Sequence, residues 1–370
     1  MIKVCHVTSV HPVEDNRIYK KECRSLAENG YDVTLVQQGG SYEKDGVHLA
    51  GFGEIASSRM KRMIFTARAA YRKALEVDAD VYHLHDPELL PYALKLKKRG
   101  KKVIFDSHEK YSDLMYDKPY LPVWSARMVG AVYSAFEGYI LKRIDGVVFP
   151  CLKDGKHPFE GMCSHITTVN NTARKEELYD KYDPNIRKYD RSIVYIGSLS
   201  QNRGVTNTIL AAAKSDAVFY LGGNFATAEY QMEVEALPEY ANVRYLGSLN
   251  RNQVLDLLQH SQIGIATLLN VGQYNQFDNL ATKVYEYMSL ALPVVLSKSP
   301  FNQKMIDTYQ FGICVDPDDP QEIADAIRWL LDHPEEARAM GENGRRAVET
   351  EFNWKVEEEK LLALYEEILK

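Results

Sequence analysis

The sequence predicts an α/β fold made of two successive parallel sheets, one in each half of the chain. Three observations carry this prediction. The chain has 370 residues, enough for two domains of ordinary size. Short runs rich in β-branched residues alternate with segments of helical length and periodicity, which is the pattern of βαβ units. The pattern lapses once, in the polar and highly charged segment 171–190, and then starts again.

Five runs with strand character lie in the first half and six follow the polar segment. The first five are IKVCHVTSV, YDVTLVQQ, ADVYHLH, KKVIFDSH and IDGVVFP. The next six are RSIVYIGS, DAVFYLGG, ANVRYLGS, QIGIATLL, ALPVVLS and FGICVDP. We therefore predict domains over 1–170 and 191–350, joined by a linker over 171–190. In sheets of this kind ligands bind beyond the carboxyl ends of the strands, so candidate residues are sought there.

The last segment, 351–370, has the apolar spacing of an amphipathic helix that closes the structure. Its side chains available for packing are Trp354, Leu361, Leu362, Leu364, Tyr365 and Leu369.

Composition excludes several classes of protein. Apolar residues make up 45% and charged residues 26%, which fits a folded chain rather than a disordered one. The opening MIKVCHVTSV lacks the apolar region of a secretory signal, and no apolar run approaches the roughly 18 residues of a membrane span. These features predict a cytoplasmic protein. The five cysteines are scattered and odd in number, which favours reduced thiols over a disulfide framework.

The net charge of −6 is unevenly distributed. Residues 1–170 carry 25 Lys and Arg against 21 Asp and Glu, whereas residues 171–370 carry 20 against 30. A chain that is acidic overall and has no basic arm is a poor binder of nucleic acid. We expect instead a small anionic ligand, or an anionic membrane surface facing the first half.

The strongest candidate site is QFDNLATKVYEYMSLALPVV, residues 276–295. A helix beginning near Leu280 would bring Asn279, Lys283 and Glu286 to one face. The free N–H groups of its first turn suit an anion, so a diphosphate would bind the backbone of 279–281 beside Lys283. Glu286 would accept hydrogen bonds from ribose hydroxyls and Asp278 would hold sugar hydroxyls. The alternative is that Asp278 caps the helix and Lys283 pairs with Glu286 at the surface.

A second candidate is YIGSLSQNRGVTNTILAAA, residues 195–213, a strand followed by a turn and a helix. Gly197 and Gly204 allow close backbone approach, and Arg203 offers a guanidinium suited to phosphate oxygens. Gly222 follows another strand in the same way. The spacing matches neither common phosphate-loop motif, so an ordinary strand-to-helix turn is the alternative.

A third candidate lies after two strands of the first half. FDSHEKY places His108 and Glu109 beyond one strand, and HLHDPELL places His85 and Asp86 beyond another. A histidine here would contact a sugar hydroxyl or organise the reacting centre, or else have a structural role. The cluster of Cys151, His157, Cys163 and His165 matches no zinc spacing, and we predict no metal.

The segment RMKRMIFTARAAYRKAL, residues 59–75, forms an amphipathic wheel. Its apolar side holds Met60, Met63, Ile64, Ala67, Ala70, Tyr71 and Leu75, and basic side chains lie opposite. Together with the basic run 95–102 and the aromatic stretch 115–136, it predicts contact of the first domain with anionic lipid. A helix that covers the sheet with a solvated basic face is the alternative.

Taken together, these segments resemble the retaining family-four glycosyltransferases of GT-B architecture over nearly the whole chain. The resemblance rests on DNRIYKKECRSLAENGYDVTLV, FDSHE, YIGSLSQNRG, the element from Asp278 to Glu286 with EYMSLALPVV, and FGICVDPDDPQEIADAI. It implies two Rossmann-like domains facing across a cleft. The first would bind the acceptor, the second would bind a nucleotide-diphosphate-sugar donor, and the final helix would cross back to the first domain.

The resemblance also implies roles for particular residues. Asp278 and His108 would lie at the transferred sugar as the catalytic pair, and Glu286 would bind the donor ribose. The remaining donor-binding positions would be Gly197, Ser198, Arg203, Gly222, Asn279, Leu280 and Lys283. The acceptor-side candidates are His11, Asp15, Arg17, His85, Asp86 and Glu109.

Three departures from the family pattern affect these roles. Asp278 replaces the usual Glu and is one methylene shorter. Ser198 stands where an Arg is common, so Lys283 would have to compensate. HPVEDNR replaces the glycine pair of the first loop, which leaves the roles of His11, Asp15 and Arg17 open.

The resemblance thus implies front-face transfer of a hexosyl or N-acetylhexosaminyl group with retention, without a metal or cofactor. We expect a UDP-sugar donor, a glycan or lipid-linked acceptor, a role in cell-surface polysaccharide synthesis, and a peripheral position at the inner face of the membrane. The alternatives are a nucleotide-sugar epimerase of the same architecture and a non-catalytic nucleotide-sugar-binding accessory protein. An NAD oxidoreductase is disfavoured because G-x-G-x-x-G is missing after the first strand.

Overall fold

The computed structural model describes residues 1–54, 58, 61–111, 113, 123–177, 179–272 and 274–370. They form two α/β units. Unit 1 comprises Met1–Asn171 with Lys355–Lys370, and unit 2 comprises Thr172–Trp354. Each unit contains a sheet whose strands are parallel apart from one edge strand of unit 1. The predicted fold class, two parallel-sheet α/β domains, is confirmed.

The strands of unit 1 form an eight-stranded sheet in the order β3-β4-β2-β1-β5-β6-β7-β8. They are β1 (Lys3–Val7), β2 (Asp32–Gln37), β3 (Tyr42–Lys44), β4 (Val47–Gly51), β5 (Val81–Leu84), β6 (Lys102–Asp106), β7 (Gly146–Phe149) and β8 (His165–Thr168). The helices are α1 (Arg24–Glu28), preceded by a π-helical turn over Ile18–Cys23, α2 (Ala67–Val77), α3 (Leu90–Lys97) and α4 (Val123–Leu141).

Strands β1, β2, β5, β6 and β7 correspond to the five predicted runs, and β3, β4 and β8 were not predicted. The missed strands lie toward the two edges of the sheet and lack continuous apolar runs. The three residues of β3 are all exposed, and the four of β8 are all half-buried. Edge strands of this kind carry a weak sequence signal because neither face is fully covered.

The strands of unit 2 form a six-stranded parallel sheet in the order β11-β10-β9-β12-β13-β14. They are β9 (Ser192–Ile196), β10 (Val218–Gly222), β11 (Val243–Gly247), β12 (Ile263–Ala266), β13 (Val294–Ser297) and β14 (Gly312–Val315), which match the six predicted runs. The helices are α5 (Val205–Lys214), α6 (Ala228–Glu235), α7 (Arg251–His260), α8 (Thr282–Ser289), α9 (Pro300–Tyr309), α10 (Pro320–Asp332) and α11 (Pro334–Thr350).

The strand order decides where each unit can bind a ligand. When the strands of unit 2 are numbered 1 to 6 along the chain, their order across the sheet is the doubly wound 3-2-1-4-5-6. This order reverses between β9 and β12. In unit 1 the corresponding reversal lies between β1 and β5. In open parallel sheets the crevice beyond the strand ends at such a reversal is the usual ligand site.

Local sequence explains why the helices of unit 2 begin where they do. Ser299 and Asp319 accept backbone hydrogen bonds as N-caps, and a proline follows each at the first helical position. Asn250 and Gln253 form a reciprocal capping box at the start of α7.

The apolar side of the 59–75 wheel is partly buried and partly exposed. Ala67 and Ala70 are buried, as is Ala74, which the wheel omitted, whereas Met63 and Ile64 are 51% and 55% exposed. The π-helical turn Arg62–Thr66 before α2 explains the shift, since each of its turns takes an extra residue and changes the phase of the face. Met60 and part of the aromatic stretch lie outside the described residues.

The final helix, α12 (Trp354–Leu369), buries Leu361, Leu364, Tyr365 and Ile368. Its residues from Lys355 onward group with unit 1. Within the described part of the chain, no helix combines the length and apolar character needed to cross a membrane.

Candidate functional site

The turn after β9 in unit 2 is built on close backbone contacts. Gly197 and Gly223 have φ angles of +147° and +131°, and a Cβ added to Gly223 would lie 1.8 Å from the carbonyl oxygen of Gly197. A Cβ on Gly204 would lie 1.8 Å from the carbonyl oxygen of Thr267, directly after β12. Gly222 is the last residue of β10. The turns after β9, β10 and β12 thus meet at the strand-order reversal of unit 2.

Two cationic side chains lie beside this turn. The Nζ atom of Lys283 is 3.5 Å from the centre of the Tyr195 ring and 3.4 Å from where a Cβ of Gly197 would be. That amine has no hydrogen-bond partner in the described part of the chain. The guanidinium of Arg203 stacks on Tyr274, with its carbon 4.7 Å from the ring centre. Burial, reinforced by the charge of Arg203, holds the pKa of Lys283 well below its usual range.

Glu286 pairs with a cation that the sequence interpretation did not name. Nη1 of Arg251 donates a hydrogen bond of 2.7 Å to Oε1 of Glu286, and the Glu286 side chain is 22% exposed. The alternative of a surface pair between Lys283 and Glu286 is therefore wrong, because Lys283 turns toward Tyr195 instead. Arg251 holds the Glu286 carboxylate in place while leaving it accessible.

The loop before α8 differs slightly from its prediction. The helix begins at Thr282 rather than near Leu280, because Ala281 has an extended ψ of 138°. Leu280 is buried, and the side-chain oxygen of Asn279 accepts a hydrogen bond of 3.2 Å from the Tyr285 hydroxyl. Asp278 is half-buried in the same loop, and Ser198 is exposed in the turn after β9. The diphosphate contact through the backbone of 279–281 stays a prediction.

The arrangement in unit 2 suits an anionic ligand with hydroxyl groups. An accessible carboxylate, an unpaired amine and a guanidinium lie around one glycine turn at a strand-order reversal. Buried polar groups in proteins are nearly always satisfied, so an unpaired lysine amine beside a backbone turn is unusual. Such an amine is available to a phosphate oxygen without first breaking another bond.

A cavity of about 640 Å³ lies in unit 1 beyond β1, β5 and β6. Its lining is mostly apolar and aromatic, with Met63, Pro91, Tyr111, Tyr133 and Phe136 among the contributors. The polar lining comes from His11, Asp86, Glu88, His108 and Glu109. A pocket of this volume with a few polar groups on one side has the character of a binding site for an organic ligand.

Three of the predicted acceptor-side residues, His11, Asp86 and Glu109, line the polar side of this cavity together with His108, which was predicted as catalytic. The rings of His11 and His108 have centres 4.7 Å apart, and Nε2 of His11 lies 3.4 Å from the Asp86 carboxylate. Nδ1 of His11 lies 3.7 Å from Asp15. Burial lowers the pKa of His11, but the hydrogen bond to Asp15 and the charge of Asp86 outweigh it, so the pKa is raised overall. The structure thus brings His11, Asp15, Asp86 and His108 together.

Arg17 and His85 lie deeper in unit 1. The Arg17 guanidinium donates to both oxygens of Asp106, at 2.9 Å from Nε and 3.1 Å from Nη2. Both Arg17 and His85 are buried, and Nδ1 of His85 lies 3.3 Å from Nε2 of His108. Burial weighs against direct contact of either side chain with an acceptor, and that contact stays a prediction.

Sequence reasoning missed several residues at both places. In unit 2 it missed Tyr195, Arg251 and Tyr274, and in unit 1 it missed Glu22 and Asp106. Asp106 ends β6 and stands within the FDSHE run, so its position after a buried strand was a usable signal. Arg251 carried no signal, because it contacts Glu286 across 35 residues of sequence.

Three of the four side chains in the set Cys151, His157, Cys163 and His165 contact backbone carbonyls. Nε2 of His157 lies 3.1 Å from the Thr167 oxygen, and Nδ1 of His165 lies 2.9 Å from that of Asp145. The Sγ of Cys163 contacts the Ile144 oxygen.

Two family models match the chain in succession. The model described as glycosyl transferase 4-like domain matches residues 19–154, and that described as glycosyl transferases group 1 matches residues 179–347. Together they cover most of both units.

Two curated relatives show lower and partial similarity. An alpha-D-kanosaminyltransferase of Streptomyces kanamyceticus is 26% identical over 54% of this chain and 51% of its own length. A GDP-mannose-dependent monoacylated alpha-(1-6)-phosphatidylinositol monomannoside mannosyltransferase of Corynebacterium glutamicum is 26% identical over 64% of this chain and 63% of its own length. The matched part of this chain thus spans between half and two thirds of these relatives.

Solved structures share the fold over the full chain. Sucrose-phosphate synthase of Thermosynechococcus elongatus has a TM-score of 0.77 at 15% identity and covers 100% of this chain and 99% of its own. HepE of Anabaena, solved in complex with UDP-glucose, has a TM-score of 0.71 at 12% identity and covers 99% of this chain and 100% of its own. With both family models matched and this fold shared, the chain belongs to the group 1 glycosyltransferases of GT-B architecture.

Proposed function

We propose that this chain transfers a hexosyl or N-acetylhexosaminyl group from a nucleoside-diphosphate sugar to an acceptor, with retention at the anomeric carbon. The observation that carries the proposal is Lys283, whose unpaired amine lies against the glycine turn after β9. Family membership supports the reaction class, and retention follows the resemblance of the motifs.

The unit 2 side chains have complementary roles in this reaction. When the bond between the anomeric carbon and the diphosphate breaks, negative charge develops on the leaving phosphate. Arg203 and Lys283 stabilise that charge, and preorganised cations of this kind lower the barrier without reorganising. Glu286, held by Arg251, accepts hydrogen bonds from the ribose hydroxyls. Because two cations serve the leaving group, we propose that transfer proceeds without a divalent metal.

We propose a UDP-sugar as the donor. The structural relative from Anabaena was solved with UDP-glucose, which supports this choice, whereas the relative from Corynebacterium is named for GDP-mannose. A screen of donors should therefore compare uracil and guanine nucleotides first.

We propose a lipid-linked acceptor bound in the cavity of unit 1. The cavity lining is largely apolar, and Met63, Ile64 and Phe65 beside it are 51%, 55% and 61% exposed. Helix α4 exposes further apolar side chains at helical spacing, Met128, Val132, Phe136 and Tyr139. An exposed apolar surface next to a binding cavity is typical of a lipid or membrane contact. We therefore propose that the reaction takes place at the inner face of the membrane, in cell-surface polysaccharide synthesis.

The donor proposal is tested by thermal unfolding with UDP, GDP, ADP, CMP and NAD. A ligand at 100 times its dissociation constant adds about 2.7 kcal/mol to the stability, enough for a shift of several degrees. We expect a shift with UDP, and transfer from the matching sugar donor at the same rate with and without added magnesium. Conversion of the donor alone to another nucleotide sugar would indicate the epimerase, and binding without turnover toward any acceptor would indicate an accessory protein.

The lipid proposal is tested by flotation with vesicles of anionic and neutral lipid. We expect the wild-type chain to float with anionic vesicles and the double variant Met63→Ser, Phe65→Ser to remain unbound. Met232→Ser is the matched control, because Met232 is 64% exposed in unit 2. Equal flotation of the double variant and the wild type would contradict this contact surface.

A further inference from the structure

Three histidines and one glutamate meet in the interior of unit 1, beneath the polar side of the cavity. His6 lies on β1, His83 lies on β5, His85 follows β5 directly, and Glu22 lies on the π-helical turn before α1. All four side chains are fully buried. Their potential ligand atoms lie within 4.8 Å of one another. From this geometry we propose that His6, Glu22, His83 and His85 form a closed site for one Zn²⁺ ion.

The distances among three of these atoms fit one metal ion. Nδ1 of His6 and Nε2 of His85 are 2.9 Å apart, and Oε2 of Glu22 lies 3.8 Å from the first and 3.9 Å from the second. A triangle with these sides has a point about 2.1 Å from every corner, which is the distance at which Zn²⁺ binds imidazole nitrogen and carboxylate oxygen. That point lies in the plane of the three atoms, so Glu22 has to move toward the two imidazoles before a tetrahedral arrangement can form.

The fourth ligand is His83. Its Nε2 atom is buried and has no hydrogen-bond partner in the described residues. A modest shift of this ring completes a tetrahedral set of three imidazoles and one carboxylate, and this donor set suits zinc better than magnesium or calcium, which prefer oxygen alone.

The second nitrogen of each ring is held by a neighbour, as in established zinc sites. The Tyr365 hydroxyl lies 2.9 Å from Nδ1 of His83 and 3.2 Å from Nε2 of His6. Asp106 lies 3.5 Å from Nδ1 of His85, which forms a carboxylate–histidine pair. With the N–H of each ring on this outer nitrogen, the inner nitrogen can bind the ion.

The charge on Glu22 has to be balanced in the interior of unit 1. Arg17 lies 3.0 Å from Glu22 and 2.9 Å from Asp106, so one guanidinium faces two buried carboxyl groups. Without an ion, a proton on Glu22 that is hydrogen-bonded to Asp106 balances the charge, and burial together with the charge of Asp106 raises the pKa of Glu22 well above its usual range. A zinc ion at the common point replaces that proton and binds the Glu22 carboxylate together with both nitrogens.

Binding is coupled to folding, because the site is enclosed. The ion replaces the proton of Glu22, which is released to solvent, and the N–H between Nδ1 of His6 and Nε2 of His85 moves to the outer nitrogen of its ring. The ion then ties β1, β5 and the turn before α1 at the strand-order reversal of unit 1. The role of the ion is structural, so a result for or against this site does not affect the proposed sugar transfer.

The test measures metal content in protein purified without a metal-affinity step. We expect about one zinc per chain after desalting, and visible absorption of tetrahedral cobalt when the full chain is refolded with Co²⁺ alone. Glu22→Gln should abolish both signals. Tyr365→Phe should lower the affinity for zinc about 10- to 100-fold. The control is His48→Gln, because His48 is 54% exposed beside Glu43 and is suited to adventitious binding.

Two results would overturn the site. One is wild-type protein that holds less than about a tenth of an equivalent of zinc, both as purified and after refolding with Zn²⁺. The other is zinc lost in His48→Gln but retained in Tyr365→Phe. If Glu22→Gln does not fold, the cobalt spectrum of the wild type and the affinity of Tyr365→Phe still decide the matter.

Discussion

Replacing Lys283 by methionine should stabilise the free protein while removing nucleotide binding. A buried polar group without a hydrogen bond costs about 1–3 kcal/mol. The contact of the amine with the Tyr195 ring, whose centre is 3.5 Å from Nζ, offsets part of this cost as an N–H···π interaction. The net gain from Lys283→Met is therefore about 1 kcal/mol, or an increase in Tm of about 2–4 °C for a domain of this size.

The same substitution should weaken the binding of a nucleoside diphosphate. A hydrogen bond to a charged group contributes about 1.5–3 kcal/mol, so we expect UDP to bind about 10- to 150-fold more weakly. Differential scanning calorimetry with and without UDP measures both effects on one sample. Lys304→Met is the matched control, because Lys304 is exposed on α9. Its Tm and its response to UDP should equal those of the wild type.

The pH dependence provides an independent check. Burial and the charge of Arg203 lower the pKa of Lys283, so the folded chain binds fewer protons than the unfolded chain below the usual lysine pKa. Stability must then rise with pH in this range, and Lys283→Met should remove that part of the slope. A Lys283→Met protein with a lower Tm and an unchanged response to UDP would refute this reasoning.

Three further predictions concern single substitutions. Arg203→Ala and Glu286→Ala should each lower the transfer rate about 100-fold or more, measured as product formed, and near-normal turnover in both would contradict the donor site. Gly223→Ala should unfold unit 2 at markedly lower urea, because its Cβ would lie 1.8 Å from the Gly197 oxygen. Burial raises the pKa of Glu137 to about 7, so the stability it contributes falls as pH rises from about 4.5 to 7, and Glu137→Gln should flatten that part of a Tm profile.

The buried strands could be predicted from sequence because burial on both faces leaves a continuous apolar signature. Strands β9, β12 and β13 of unit 2 and the central strands of unit 1 have it, whereas edge strand β11 is mostly exposed or half-buried. The turn after β9 was also predictable, since Gly197 and Gly204 bound it and Arg203 stands between them. The phase of the 59–75 helix was not, because the π-helical turn Arg62–Thr66 adds a residue that no propensity signals.

The side-chain partners at the candidate site were less predictable. Lys283 and Glu286 are three residues apart on one helix, which favours a local ion pair. The structure instead directs Lys283 to Tyr195 and Glu286 to Arg251, on two other elements. Spacing along a helix fixes only which side chains share a face. The residues that meet that face depend on the packing of distant segments.

The two sheets show how one scaffold acquires two chemistries. Both reverse strand order after their first strand, so both have a crevice at the equivalent position. In unit 2 Gly197 directly follows the first strand, and Arg203 and Lys283 beside it suit a phosphate. In unit 1 His6 lies on the first strand and His85 directly follows β5, and these side chains suit a metal ion in the interior. Function therefore diverges through the few side chains at the strand ends and beneath them, while the backbone order that creates the crevice stays the same.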